Sequence, residues 1–171
     1  MTDQKRSTAP VEGVTNVEDQ LPGPDPALER FDRFVGTWDM EGRTADSTEP
    51  NITGRATFQR LPGGYFLEQR IELDFAGFAH IQSLELVGYD PGTGMFPSQV
   101  FSNMSPQPLP YTWEIGEDGS LTISVSYGPM DATFRGRFSD DGQSFGGAWA
   151  PNPGADPTIN IPYELGGRRA R

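Results

Sequence analysis

The stretch Leu121-Thr122-Ile123-Ser124-Val125-Ser126-Tyr127, followed two residues later by Met130-Asp131-Ala132-Thr133-Phe134-Arg135-Gly136-Arg137-Phe138, alternates between apolar or small residues and polar ones. A period of two puts neighbouring side chains on opposite faces of a strand. The pattern is therefore that of antiparallel strands packed on one side and wet on the other. The same rhythm recurs upstream. Ile52, Gly54, Ala56 and Phe58 share one face, and Tyr65, Leu67, Gln69, Ile71 and Leu73 share another. Between such runs stand Leu61-Pro62-Gly63-Gly64, Tyr89-Asp90-Pro91-Gly92, Glu117-Asp118-Gly119 and Asp140-Asp141-Gly142, all rich in residues that tolerate tight turns. Ten strands are expected, near 35–43, 51–60, 65–74, 79–89, 95–102, 110–115, 120–127, 130–138, 143–150 and 158–166.

Consecutive short strands with hairpin links close most simply into an up-and-down antiparallel β-barrel, because closure removes both sheet edges. A β-sandwich would need a long crossover, and 103–110 is the one candidate. The fold class is thus all-β, with a short helix before the first strand. Asp25 can cap that helix, Pro26 suits its first position, Leu28, Phe31 and Val35 recur at helical spacing, and Gly36 ends it. Residues 1–24 hold three prolines and no aromatics, and read as a flexible arm ahead of a barrel domain at 25–171, with a lid over the barrel mouth as the alternative.

Composition removes several functions. The chain of 171 residues carries 24 acidic and 13 basic side chains, a net charge of −11, which disfavours nucleic acid and anionic membranes as partners. It has no cysteine, so disulfides, thiolate metal sites and a cysteine nucleophile are excluded. The first ten residues lack the apolar run of a secretory signal, and no stretch approaches the length of a membrane span, so a cytoplasmic location is expected. The triplets Asn51-Ile52-Thr53 and Asn103-Met104-Ser105 are read as chance matches to glycosylation acceptors. Oligomeric state, a homodimer included, stays open.

Phe34-Val35-Gly36-Thr37-Trp38, followed by Glu41-Gly42-Arg43, resembles the Gly-x-Trp opening of calycin (lipocalin-like) barrels. Together with Gly54-Arg55-Ala56, Leu61-Pro62-Gly63-Gly64-Tyr65-Phe66-Leu67, Gly88-Tyr89-Asp90-Pro91 and Phe138-Ser139-Asp140-Asp141-Gly142, it is similar to the bacterial DUF1579 family. The resemblance spans about residues 28–165 and implies a calycin barrel with a small apolar ligand, with no established activity. It also implies that Trp38 plugs the closed end, with Arg168 or Arg169 lying against it. Nitrobindin-like barrels, which open similarly, hold haem through a histidine in their C-terminal part, and this chain has no histidine after His80. Fatty-acid-binding barrels use an Arg-x-Tyr pair, and here Ile161 stands two residues before Tyr163. No cofactor is expected.

Eight residues are candidates for contact with a ligand: Tyr65, Gln69, His80, Gln82, Tyr111, Trp113, Tyr127 and Tyr163. Gln69 falls on an inward face, where an amide without a partner is costly. His80 is the only histidine and would have to serve any Ser-His-Asp mechanism, for which no Gly-x-Ser-x-Gly motif exists. The strand at 79–89 is mixed on both faces. One register turns His80, Gln82, Leu84 and Leu86 inward together; the other leaves His80 on the rim or surface. Tyr111, Trp113 and Ile115 form an inward stripe that either fills a barrel or lines a pocket. Tyr127 and Tyr163 carry the same two readings. The acidic residues Glu68, Glu72, Asp74, Glu85 and Glu114 are expected on outward faces, which argues against a paired-carboxylate hydrolase. Nothing has the ligand spacing of a metal or phosphate site. The proline-rich run from Phe101 to Pro110 is either an entrance loop or a plain surface loop. Three functions follow: a binder of one small apolar or aromatic molecule, a cofactor-independent cyclase or isomerase working inside the barrel, and a filled barrel acting through its surface.

Overall fold

In the computed structural model ten strands each pair with the next, and the last returns to the first, so the sheet closes into one antiparallel barrel. They are β1 (Gly36–Thr44), β2 (Ile52–Arg60), β3 (Leu67–Phe75), β4 (Ala79–Val87), β5 (Phe96–Ser102), β6 (Leu109–Ile115), β7 (Ser120–Tyr127), β8 (Met130–Phe138), β9 (Ser144–Pro151) and β10 (Tyr163–Arg169). The structure describes residues 21–171. All but the last four residues of the expected arm at 1–24 lie outside the described residues. A short 3-10 helix, Pro26–Arg33, precedes β1.

The seam is made by β1 and β10, paired from Trp38 opposite Arg169 to Thr44 opposite Tyr163. No barrel edge is left to template other chains. Phe134 on β8 lies across Gly136 and its cross-strand partner Gly147 on β9. A Cβ on Gly147 would sit 2.7 Å from that ring and 2.2 Å from the Arg135 carbonyl, so the two bare backbones are what lets the ring lie flat there.

The 3-10 helix closes one end. Asp25 caps it, its Oδ1 accepting from the Ala27 amide at 2.8 Å, and Pro26 occupies the first turn. Leu28, Phe31 and Phe34 are buried, whereas Val35, expected inside, is exposed. The reason is the helix type: at three residues per turn the buried stripe runs 28, 31, 34, and Val35 falls off it. Phe34 meets Phe138 edge-on at 4.8 Å and Trp113 at 5.5 Å, which seals the base of the barrel with aromatic rings.

Trp38 is fully buried and donates its indole N–H to the Phe34 carbonyl at 2.7 Å. Arg169, of the two arginines considered, lies over the indole, its guanidinium carbon 4.4 Å from the ring centroid. The same guanidinium donates to the carbonyls of Gly142, Val35 and Arg33 at 3.1, 2.8 and 3.0 Å. This clasp explains the Gly-x-Trp sequence. Gly36 has φ +130°, and a Cβ there would meet Arg169 Nη1 at 2.8 Å.

Strand limits agree with the sequence expectation to within two residues except at β10, which begins at Tyr163 and not near 158. Pro157 and Pro162 lack ladder donors. The segment 152–162 is held instead by buried Asn160, which accepts from the Asp131 amide at 2.8 Å and donates to the Pro129 and Asp156 carbonyls, both at 3.1 Å.

Candidate binding cavity

Inside the barrel is a cavity of about 580 Å³. This space is the feature that distinguishes an internal-pocket reading from that of a filled barrel acting through its surface. Phe34 and Trp113 form the floor above the 3-10 helix. At the other end the cavity opens beside Met104, Gln107, Tyr127 and Pro129. The proline-rich β5–β6 loop thus shapes the mouth, one of its two expected readings.

The sequence candidates divide cleanly. Gln69, Tyr111, Trp113, Tyr127 and Tyr163 all line the cavity. Tyr65, His80 and Gln82 do not. Tyr65 sits in the turn before β3, at the closed end, where its hydroxyl donates to the Pro22 carbonyl. His80 and Gln82 face solvent, because β4 takes the opposite register: Ile81, Ser83, Glu85 and Val87 point inward. His80 is bracketed on the outer surface by Asp74 at 2.9 Å and Glu72 at 3.1 Å. The Asp74 hydrogen bond, with lesser help from both charges, raises its pKa. Leu84 and Leu86, inward in one of the two registers considered, are half-buried on the outer face, where Leu84 pairs with exposed Phe101.

The register corrects a second expectation. Glu72, Asp74 and Glu114 are exposed on the outer face, and Glu68, also outward by alternation, is covered there and accepts from Gln59 and Arg70, but Glu85 is 6 % exposed and points into the cavity. Its Oε1 accepts from Ser98 Oγ at 2.6 Å and from Trp113 Nε1 at 2.7 Å. Oε2 has no partner among the described residues. No fully enclosed side-chain oxygen or nitrogen among them lacks a hydrogen bond, so Oε2 opens onto the cavity space. Burial pushes the Glu85 carboxyl up to about 7, and the Ser98 and Trp113 donors hold it from rising further. It is therefore both a proton donor and a proton acceptor near neutrality.

Gln69 lies directly across from Glu85 in the β3–β4 ladder, and both face inward. Such pairs have Cβ atoms about 5 Å apart. The Gln69 amide has no hydrogen-bond partner among the described residues, and neither have the Tyr111 and Tyr163 hydroxyls. Burial raises the Tyr111 phenol to about 12, with the Glu85 charge adding to the rise, and burial pushes the Tyr163 phenol higher still. Both remain neutral donors at any ordinary pH. Trp149, which the sequence reading passed over, ties this wall together: it stacks on Tyr163 at 6.4 Å and meets Tyr111 edge-on at 6.0 Å. Its signal was present in the alternation Phe145, Gly147, Trp149. Glu85 had no such signal, since its strand carries apolar and polar residues on both faces.

The site therefore has a deep polar spot (Glu85, Gln69, Ser83) under aromatic and aliphatic walls. Among the described residues Glu85 is the single carboxyl on its lining, and none of them there is Lys, Arg or His. No group of His, Cys, Asp and Glu suited to a metal ion occurs among the described residues. None of their helices is long and apolar enough to cross a membrane.

A closed ten-stranded up-and-down meander around an internal cavity, opened by a short helix and a Gly-x-Trp strand, is a calycin-type, lipocalin-like barrel. Residues 24–142 match the family described as "Protein of unknown function (DUF1579)", and the chain belongs to that family. No curated protein matches the sequence. Among solved structures the chain is similar to Rv2717c from M. tuberculosis, with 16% sequence identity, a TM-score of 0.46, and coverage of 86% of this chain and 99% of that one.

Proposed function

We propose that the barrel binds one small, largely apolar molecule in its interior. The observation that carries this reading is the open cavity of about 580 Å³ with aromatic walls. Small-molecule pockets of roughly 300–1,000 Å³ share this character, mostly apolar with a few placed polar groups. Each 100 Å² of apolar ligand surface taken from water contributes roughly 2.5 kcal/mol, which must exceed the entropy lost on association. The test is titration with Nile red, an uncharged dye that brightens in apolar surroundings. Saturable brightening is expected, and native mass spectrometry of protein purified without denaturation should show a retained adduct. Ser83→Phe, which intrudes a ring into the cavity, should weaken both while the circular dichroism spectrum stays that of the parent. Equal dye binding by Ser83→Phe, or no saturable binding by the parent, overturns the reading.

A second reading, a cofactor-independent isomerase or cyclase, is favoured by one observation: a buried carboxyl that titrates near neutrality beside phenols able to donate to a developing oxyanion. For this reading Glu85→Gln should lose turnover of a candidate substrate while still binding Nile red.

A further inference from the structure

The inference deepens the preceding one and rests on an apolar molecule occupying the barrel. We propose that this molecule is a hydrophobic amine, its protonated nitrogen paired with the Glu85 carboxylate at the base of the cavity.

The polar groups of the cavity differ in what they can serve. Glu85 spends Oε1 on Ser98 and Trp113 and turns Oε2 to the open space. An ammonium brings three donors and no acceptor. Oε2 takes one of these, and the Gln69 side-chain carbonyl, one strand away, is placed for another. Among the described residues the cavity wall supplies no cation to answer the carboxylate. An anionic ligand would put a second negative charge in a site already short of solvation, whereas a cation neutralises the one present. The rings of Trp113, Tyr111 and Trp149 line the same cavity, and a ring face met by a positively charged ligand attracts it as it does not attract a neutral one. The net charge of −11 draws cations toward the molecule from a distance. A carboxylate-headed lipid meets the reverse of each of these terms.

The titratable groups facing Glu85 from the other elements are the Tyr111 phenol on β6 and the Tyr163 phenol on β10, with Tyr127 of β7 at the rim. Tyr111 and Tyr163 are shifted upward. Among the described residues lining the cavity, Glu85 is thus the group that burial brings into the neutral range.

The experiment compares three soluble probes with one body: 4-phenylbutylamine, 4-phenylbutanol and 4-phenylbutyrate, titrated calorimetrically against the full chain and against Glu85→Gln at pH 8. The amine should bind at least about tenfold more tightly than the alcohol, and the carboxylate about tenfold more weakly. Glu85→Gln should bring the amine to within about threefold of the alcohol, with a circular dichroism spectrum matching the parent's to report an intact fold. In the parent, amine affinity should fall at least about fivefold between pH 8 and pH 5.5, and alcohol affinity should stay flat. If the alcohol binds and the amine binds no better, the cavity reading stands and the amine assignment is overturned. The assignment is equally overturned if Glu85→Gln keeps the amine preference. If none of the three probes binds and Nile red does not, the cavity reading has failed and the amine assignment falls with it.

Discussion

Glu85→Gln is expected to stabilise the protein at pH 8.5 and to leave it almost unchanged at pH 4.5. The folded carboxyl sits at about 7 against an ordinary value of 4.5. Folding raises this pKa, so the neutral acid favours the native state. Its contribution is fully present below pH 4.5 and is lost as the pH climbs through 7. Above that, the native state must hold an ionised carboxyl away from water. At 1.36 kcal/mol per unit, the loss amounts to about 3 kcal/mol. Glutamine keeps the shape, and its amide oxygen can still accept from Ser98 and Trp113, but it carries no charge. The difference between variant and parent cancels the other carboxylates, which both share. Thermal unfolding followed by tryptophan fluorescence should show the two melting together at pH 4.5. At pH 8.5 the variant should lead by roughly 6–12 °C, given 2–4 °C per kcal/mol for a chain of this size. An offset of the same size at both pH values, or a parent that is the more stable at pH 8.5, refutes the reasoning.

Three further outcomes follow from the geometry. Arg169→Ala removes three backbone hydrogen bonds and the cover on Trp38, and should cost roughly 2–4 kcal/mol in urea unfolding with an unchanged slope. Gly36→Ala forces a side chain into a φ of +130° against the same guanidinium and should cost roughly 1–3 kcal/mol; an unaffected urea midpoint would contradict the clasp. His80→Ala, on the outer wall, should leave Nile red affinity within about twofold of the parent, since distant sites act independently.

The barrel was legible because alternation and turn chemistry agreed over most of the chain. Leu121 to Phe138 reads the same way in sequence and structure, limits included. Agreement failed where local pattern and burial diverged. On β4 both faces are mixed, with His80, Gln82, Leu84 and Leu86 outward against Ile81, Ser83, Glu85 and Val87 inward, so alternation alone does not fix the register. The resolving information is tertiary: Ser98 and Trp113, 13 and 28 residues along the chain, supply the donors that make a buried carboxyl tolerable. Val35 was misplaced because spacing alone does not separate a 3-10 helix from an α-helix over three turns. The mouth was half legible: prolines marked residues 103–110 as irregular, but only closure shows that such a loop borders a cavity.

The β1–β10 seam joins the strands farthest apart along the chain. During synthesis β1 therefore waits, with one flank bare, through the arrival of eight intervening strands. Such distant pairing makes for slow folding and a long interval in which a sticky border can recruit other chains. Arg169, which fastens the floor, is also the residue that ends that interval. Chaperone dependence in this molecule should accordingly concentrate on a single late event, the docking of its last strand.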